Sequence, residues 1–385
     1  MNNRILFSAC GYDQGCSGIS QYMLENVKEA LEKYEVDIIL SKNDYEYWPI
    51  QHKNQQIIIL KDWVNVSGIN AAWHLFILPL WIMYRQLICK IQYEYLFLPA
   101  INRRLCAFYP IASIGTLHDL SQFYVKNKYD ALRMIYIKYI VRFFVKVNRN
   151  LHIVCVSRNT QQDLVKFYDY QSEVNINYNG YNKQYFNQIK PNAYDQILAD
   201  NNLSPGYFIY VARIEHPGKN HLNLIKAYLQ IDKPLRKKHP LVLVGKPWSG
   251  SEVIFNYIED NDHDKTIKLL GFIDSEALPS LYHGAIANIM PSFYEGFCIP
   301  IIESMACKTL VCCADTQIMH EVTQDLALFF DPYDIAAIYH CLMNVLDDAF
   351  NPCELKDSAY DHAQSFDWKD HFISIDKWVA QWVVD

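Results

Sequence analysis

The sequence predicts an α/β protein made of two doubly wound parallel sheets that face a deep cleft. Three observations carry this expectation. Short apolar runs alternate with helix-period segments along almost the whole chain, which is the pattern of repeated strand–helix–strand units. The first two runs, 5–9 and 36–40, bracket a helical stretch with Ser17 as its cap, and such a unit closes as a right-handed parallel crossover. A weakly periodic stretch with two prolines, 190–205, divides the alternation into two series. At 385 residues the chain is long enough for two domains.

In the first series the expected strands are 5–9, 36–40, 56–60, 95–98, 112–116 and 152–156. A glycine-bearing loop, Gly11 to Gly18, follows the first strand. The strands 112–116 and 152–156 run directly into polar residues, at the strand ends where α/β sheets place ligands. The second series contains strands at 207–211, 241–244, 267–270, 285–290, 310–313 and 328–330, with helices expected at 221–229 and 275–284. The expected boundaries are 1–188 for the first domain, 189–206 for a linker and 207–365 for the second domain. The last segment, 366–385, reads as a tryptophan-bearing helix that needs a partner surface.

Composition narrows the function classes. A hydrophobic share of 51 % with 20 % charged residues describes a globular chain, and a net charge of −7 argues against nucleic acid as the main partner. Eleven cysteines occur without a C-x-x-C pair, so free thiols in a reducing cytoplasm are expected, with neither a disulfide framework nor a metal site. The apolar run from Ile5 to Cys10 is too brief for a signal sequence. The most apolar stretch, 73–83, spans about half a bilayer and carries a proline, which leaves a core helix or an interfacial one. The stretch 126–149 interleaves Lys126, Lys138, Arg142 and Arg149 with Ile140, Phe143 and Phe144. It fits either an ordinary surface helix or one lying on an anionic membrane surface.

The chemistry concentrates at the ends of strands. After strand 285–290 comes Pro-Ser-Phe-Tyr-Glu-Gly-Phe-Cys-Ile-Pro, with Glu295 in a loop, Pro300 at a helix start and Glu303 in the expected first turn. Loop amides and a helix N-terminus make a donor-rich, electropositive pocket. Two carboxylates there can accept from sugar hydroxyls. A general acid–base pair for glycoside hydrolysis is the weaker reading, because nothing in the spacing makes both glutamates face one bond. Arg213 and Lys219 follow strand 207–211 and can straddle a diphosphate, a planar fork and a point charge stabilising a departing anion without a metal. Glu215, between them, is expected to matter less. His118 and Asp119 follow strand 112–116. Gly11, Gly15 and Gly18 form G-x-x-x-G-x-x-G, which is not the dinucleotide fingerprint, and strand 36–40 ends without an acid. A nicotinamide oxidoreductase is therefore disfavoured. A noncatalytic nucleotide-sugar-binding or scaffold protein remains the alternative to an enzyme.

Taken in order, these motifs resemble the GT-B glycosyltransferases of the retaining group numbered family 4. The E-x7-E element is Glu295…Glu303, and the diphosphate clamp is Arg213 with Lys219. The stretch from Gly271 through Phe272 and Ile273 resembles the segment whose backbone holds the nucleotide base. Asn179-Gly-Tyr-Asn…Phe186 is similar to the N-G-x-D…F run, with Asn182 for the aspartate; Ser157-Arg158 and His118-Asp119 match strand-end positions, and Gly15 to Gly18 the glycine loop.

The resemblance implies two Rossmann-like domains and a metal-independent hexosyltransferase that retains anomeric configuration. A UDP-, GDP- or similar nucleotide-sugar would be the donor and a glycan or lipid-linked glycan the acceptor, in cell-surface polysaccharide or lipopolysaccharide synthesis. Glu303 would bind ribose, while Glu295 with Gly296, Phe297 and Cys298 would hold the transferred sugar. His118 would contact that sugar, and Asp119, Ser157, Arg158 and Asn179 would lie on the acceptor side. The first domain would take the acceptor and the terminal helix would cross back to it. The expected place is the cytoplasm, peripheral on the inner face of the cell membrane. Three positions depart from the pattern: Lys308 stands for a glycine, His320 for a proline, and the clamp is one residue longer.

Overall fold

The protein was analysed as a computed structural model that describes residues 3–102, 104–125 and 128–382. It divides into two units. The first holds the described residues of Met1–Leu120, Tyr129–Gly180 and Trp368–Asp385; the second holds those of Ser121–Lys128 and Tyr181–Asp367.

The first unit is built on β1 (Arg4–Ser8), β2 (Glu35–Ser41), β3 (Gln55–Leu60), β4 (Leu96–Leu98), β5 (Ser113–Leu117), β6 (Leu151–Cys155) and β7 (Val174–Ile176). All pairs are parallel, in the order β3-β2-β1-β4-β5-β6-β7. The second unit carries β8 (Tyr207–Val211), β9 (Leu241–Val244), β10 (Ile267–Gly271), β11 (Ala285–Met290), β12 (Leu310–Ala314) and β13 (Leu328–Phe330), parallel in the order β10-β9-β8-β11-β12-β13. The strand order of each sheet reverses once, between β1 and β4 in the first and between β8 and β11 in the second. Ligands of such sheets bind beyond the strand C-termini at that switch.

Near-continuous apolar strands explain the burial, since parallel sheets are covered on both faces. β4, β9 and β12 are buried along their full length. Helix Gly18–Lys33 begins where Ser17 accepts from the amide of Ser20, as its residue type predicts. β7 has no counterpart in the sequence reading, because Val-Asn-Ile is too short and mixed to stand out. Residues 189–206, expected as a connector, contain helix Tyr194–Asp200 and fall inside the second unit. The terminal helix Trp368–Val379 belongs to the first unit, where Lys33 and Tyr34 bond Asp376 and Asn177 donates to the His371 carbonyl at 2.7 Å.

Candidate functional site

The charged residues gather on the loops that leave β8 and β11, the two strands flanking the switch of the second sheet. Lys219 Nζ lies 2.6 Å from Glu295 Oε1. Burial pulls the Lys219 ammonium down, but the Glu295 carboxylate outweighs it and leaves its pKa raised. The loop that carries Lys219 is fixed from three sides. Tyr210 donates to the Lys219 carbonyl at 2.8 Å, the Phe293 amide donates to the Gly218 carbonyl at 3.1 Å, and Asn220 Nδ2 bonds the carbonyls of Pro291 and Pro332. Arg213 Nη2 lies 3.2 Å from Glu215 Oε2, and its guanidinium sits 4.9 Å over the Trp248 ring. Glu215 is buried. Its carboxylate stands against the guanidinium, at a residue whose removal the sequence reading expects to cost less than removal of Arg213.

After β9 the backbone passes so close to the β8 end that a Cβ on Gly245 would sit 2.0 Å from the Ala212 carbonyl oxygen, at φ +150°. Only glycine fits there. The next residue, Lys246, places its ammonium 4.9 Å over the Phe272 ring, which follows Gly271 at the end of β10. Phe272 is exposed, and Ile273 beside it is half-buried. Lys246, Trp248, Tyr210 and Asn220 escaped the sequence reading; an apolar strand ending in glycine and lysine was the available sign for Lys246.

The paired glutamates differ from expectation in one respect. Helix Ile299–Ala306 starts with Pro300 in its first turn, but Glu303 lies a full turn further on and no acidic residue occupies the first turn. Cys298 caps the helix in a left-handed conformation at φ 80°, with no side-chain cap bond, so neither glutamate is a cap. Glu303 is buried, with Tyr282 Oη 3.5 Å from Oε2. Gly296, Phe297 and Cys298 are buried between the two glutamates.

The remaining expected site residues lie in the first unit. His118 Nε2 is 2.6 Å from the Pro99 carbonyl. A carbonyl can only accept, so Nε2 carries the proton and Nδ1 its lone pair. Burial lowers the pKa of His118 to about 4 and keeps it neutral. Its ring meets the Tyr22 ring edge-on, with centroids 4.7 Å apart. Behind them runs an ordered chain of bonds. His371 Nδ1 faces the Tyr178 carbonyl at 2.8 Å, Tyr22 Oη lies 3.2 Å from His371 Nε2, and Thr116 Oγ1 lies 2.8 Å from Tyr22 Oη. Tyr22 and His371 were not legible, since they are far apart in the chain and neither ends a strand.

Around this core the other residues scatter in role. Ser157 is fully buried and caps helix Arg158–Tyr168 through the Thr160 amide. Arg158 is exposed at the start of that helix. Asn179 is buried, and its Oδ1 has no hydrogen-bond partner among the described residues. The Asp119 carbonyl accepts from Asn102 at 2.7 Å. Gly15 adopts φ +82° with the Tyr12 hydroxyl 3.0 Å from where its Cβ would be; Gly18 opens the first helix. Lys126 lies outside the described residues.

Residues 196–364 match the family of glycosyl transferases group 1. The chain is 34 % identical over 165 residues to O-antigen chain mannosyltransferase B of Escherichia coli, covering 43 % of each protein. It is 27 % identical over 239 residues to O-antigen chain mannosyltransferase RfbU of Salmonella typhimurium, covering 61 % of this chain and 62 % of the other. Neither match reaches two thirds of the relative's length. In structure it resembles sucrose-phosphate synthase from Thermosynechococcus elongatus, with a TM-score of 0.75 at 18 % identity over 98 % of both chains. The fold is therefore GT-B.

Proposed function

We propose that this chain, whose residues 196–364 match the family of glycosyl transferases group 1, moves a mannosyl unit from a nucleotide diphosphate-sugar to a growing, lipid-linked cell-surface glycan. The single observation that carries the reading is the placement of Arg213 and the Lys219–Glu295 pair on the two loops flanking the switch of the second sheet. A diphosphate arriving there meets two cations already held by carboxylates, so little reorganisation is needed as charge builds on the leaving group. Charge neutralisation falls to side chains in this reading, and turnover is expected to persist in a chelator. Glu303 takes ribose hydroxyls, and Glu295 with the amides of Gly296, Phe297 and Cys298 takes the sugar. Phe272 and Ile273 border the base. His118, with its Nδ1 lone pair, accepts a hydrogen bond from a sugar hydroxyl. Retention of configuration follows from the E-x7-E resemblance, with the leaving phosphate as the base for the acceptor. The mannosyl unit is argued from the two mannosyltransferase relatives, and the cytoplasmic site from the free cysteines.

The test is incubation of pure protein with GDP-mannose and a panel of UDP- and GDP-sugars, scoring released nucleotide and anomeric outcome. Arg213→Ala and Glu303→Ala are expected to lower kcat/KM at least a hundredfold, on the order of 3 kcal/mol, while Glu252→Ala on an outer helix leaves it unchanged. Binding of a nucleoside diphosphate without turnover of any donor would leave a binding protein and overturn the enzyme; no binding at all would overturn the site.

A further inference from the structure

His118 is restrained by two contacts, and only one of them is a hydrogen bond. Its Nε2–H donates to the Pro99 carbonyl at 2.6 Å. One bond holds a ring at one corner and leaves it free to rock. The second contact is the Tyr22 ring, perpendicular to the imidazole with centroids 4.7 Å apart. Edge-to-face pairs lose their contact when either ring turns, so Tyr22 is a wall against that rocking. Where the Nδ1 lone pair points therefore depends on where Tyr22 stands.

Tyr22 is fixed in turn by residues distant in the chain. It lies on helix Gly18–Lys33, is fully buried, and meets Trp368 and His371 of the terminal helix edge-on, with centroids 5.8 and 5.2 Å away. Its hydroxyl belongs to a chain of bonds whose direction is forced. The Tyr178 carbonyl can only accept, so His371 Nδ1 carries the proton and Nε2 the lone pair. Burial keeps this imidazole neutral, with a pKa lowered to about 4. Tyr22 Oη must then donate to His371 Nε2 across 3.2 Å, which leaves Thr116 Oγ1 to donate to Tyr22 Oη across 2.8 Å. Asn177 donates to the His371 carbonyl at 2.7 Å. Asn177 and Tyr178, neighbours beyond β7, thus hold the backbone and the ring of one residue. Thr116, at the other end of the chain of bonds, stands on β5 two residues before His118. Packing alone would be served by phenylalanine and leucine at positions 22 and 371, with no buried polar groups to satisfy.

We propose that Tyr22 and His371 are positioning residues for His118, so that the terminal helix, through the His371–Tyr22 bond, sets the direction in which the Nδ1 lone pair meets a sugar hydroxyl. Both residues are buried, and they act through the imidazole. The inference rests on the reading in which His118 accepts from the donor sugar. It adds that this acceptor is aimed from the far end of the chain.

The experiment combines donor turnover by the full chain with magnetic resonance of histidine-labelled protein, the His118 signals being those that vanish in His118→Ala. Tyr22→Phe keeps the ring and removes the hydroxyl, and His371→Leu removes the acceptor of its bond. Each is expected to lower kcat/KM about threefold to tenfold, near the effect of one lost hydrogen bond, with nucleoside diphosphate affinity unchanged. His371→Gln can place its side-chain carbonyl where Nε2 stands, and should stay within about twofold of the native chain. The His118 ring nitrogens are expected to show a protonated Nε2 and a bare Nδ1 in the native chain. Those signals should shift or broaden in Tyr22→Phe and His371→Leu, and hold in His371→Gln. In the His118→Ala background Tyr22→Phe should lower kcat/KM no further. A loss that adds in full to that of His118→Ala, or His118 signals unmoved by either variant, would overturn the inference. Melting curves identify a variant that does not fold; Tyr22→Phe removes a single oxygen and decides the matter alone if His371→Leu fails. If no donor is turned over, the transferase reading falls while the His118 signals still decide, with moved signals upholding the positioning and unmoved ones ending it.

Discussion

The strand ends of the two sheets solve different electrostatic problems. Beyond β8 and β11, fixed charges stand in pairs, Lys219 with Glu295 and Arg213 with Glu215. Beyond β5, the residue in the corresponding position is a histidine that burial keeps neutral and that a backbone carbonyl locks into one tautomer. Paired charges can face a diphosphate because each cation is already oriented, so the anion need not organise it. A neutral ring with one lone pair can receive a hydroxyl without disturbing the charge balance. In the proposed reaction the difference becomes a division of labour, with one unit facing charge and the other setting hydrogen-bond direction.

The sharpest way to break this comparison is at Lys219. Lys219→Ala removes a cation and leaves Glu295 facing the incoming anion, so a loss of kcat/KM on the order of a thousandfold is expected. The double variant Lys219→Ala/Glu295→Gln should recover part of nucleoside diphosphate binding, because the repulsive charge is gone. Titration of each variant with the diphosphate checks this. If the single and double variants bind equally, Glu295 does not oppose the anion and the paired-charge account fails.

A smaller effect is expected at His118, and it should be of a different kind. His118→Ala is expected to cost about tenfold to a hundredfold in kcat/KM, near one lost hydrogen bond, with nucleoside diphosphate affinity unchanged. An equal loss of diphosphate affinity would erase the division between the units.

The two regions also differ in pH response. His118 and His371 are held near pKa 4 by burial, against about 6.5 for an ordinary histidine. Above pH 6.5 both are neutral, folded or unfolded, so their contribution is complete. As pH falls from 6.5 toward 4 the unfolded chain binds protons that the folded unit refuses, and stability is lost. His320 in the second unit runs the other way. The hydrogen bond to Asp315, and then the one to Asp325, raises its pKa. Its contribution is complete below 6.5 and is lost as pH rises through the raised value. Melting curves of the native chain, His320→Asn and His371→Asn across pH 4–8 test both signs. The His320 difference should shrink upward in pH, and the His371 difference should shrink downward.

What the sequence made legible follows from range. β8, β9, β11 and β13 were readable to the residue, because a buried parallel strand is an unbroken apolar run bounded by breakers. Arg213 and Glu295 stood out because each follows such a run within a few residues, and Lys219 and Glu303 because each lies further along the same loop or the helix it leads into. Tyr22 and His371 were not, since their meeting depends on the terminal helix packing against helix Gly18–Lys33. The burial of Glu215 was not readable, because local sequence does not say whether an acid beside a cation is buried.

Lys308 offers the smallest and cleanest test, again on the charged unit. It follows helix Ile299–Ala306 at φ 55°, with its amide on the Met305 carbonyl and the Thr309 amide on the Ser304 carbonyl. That is the left-handed helix end that glycine serves at no steric cost and lysine does not. The ammonium bonds the exposed Asp357 at 2.6 Å, an interaction of the weak surface kind. Relief of backbone strain opposes the loss of that pair and the extra freedom of an unfolded glycine. Relief should prevail, so Lys308→Gly is expected to raise the melting temperature by about 2 °C, with kcat/KM unchanged because the helix that carries Glu303 keeps its start. A fall in melting temperature would mean that the Asp357 pair outweighs the strain. A change in kcat/KM would mean that the far end of this helix sets the position of Glu303.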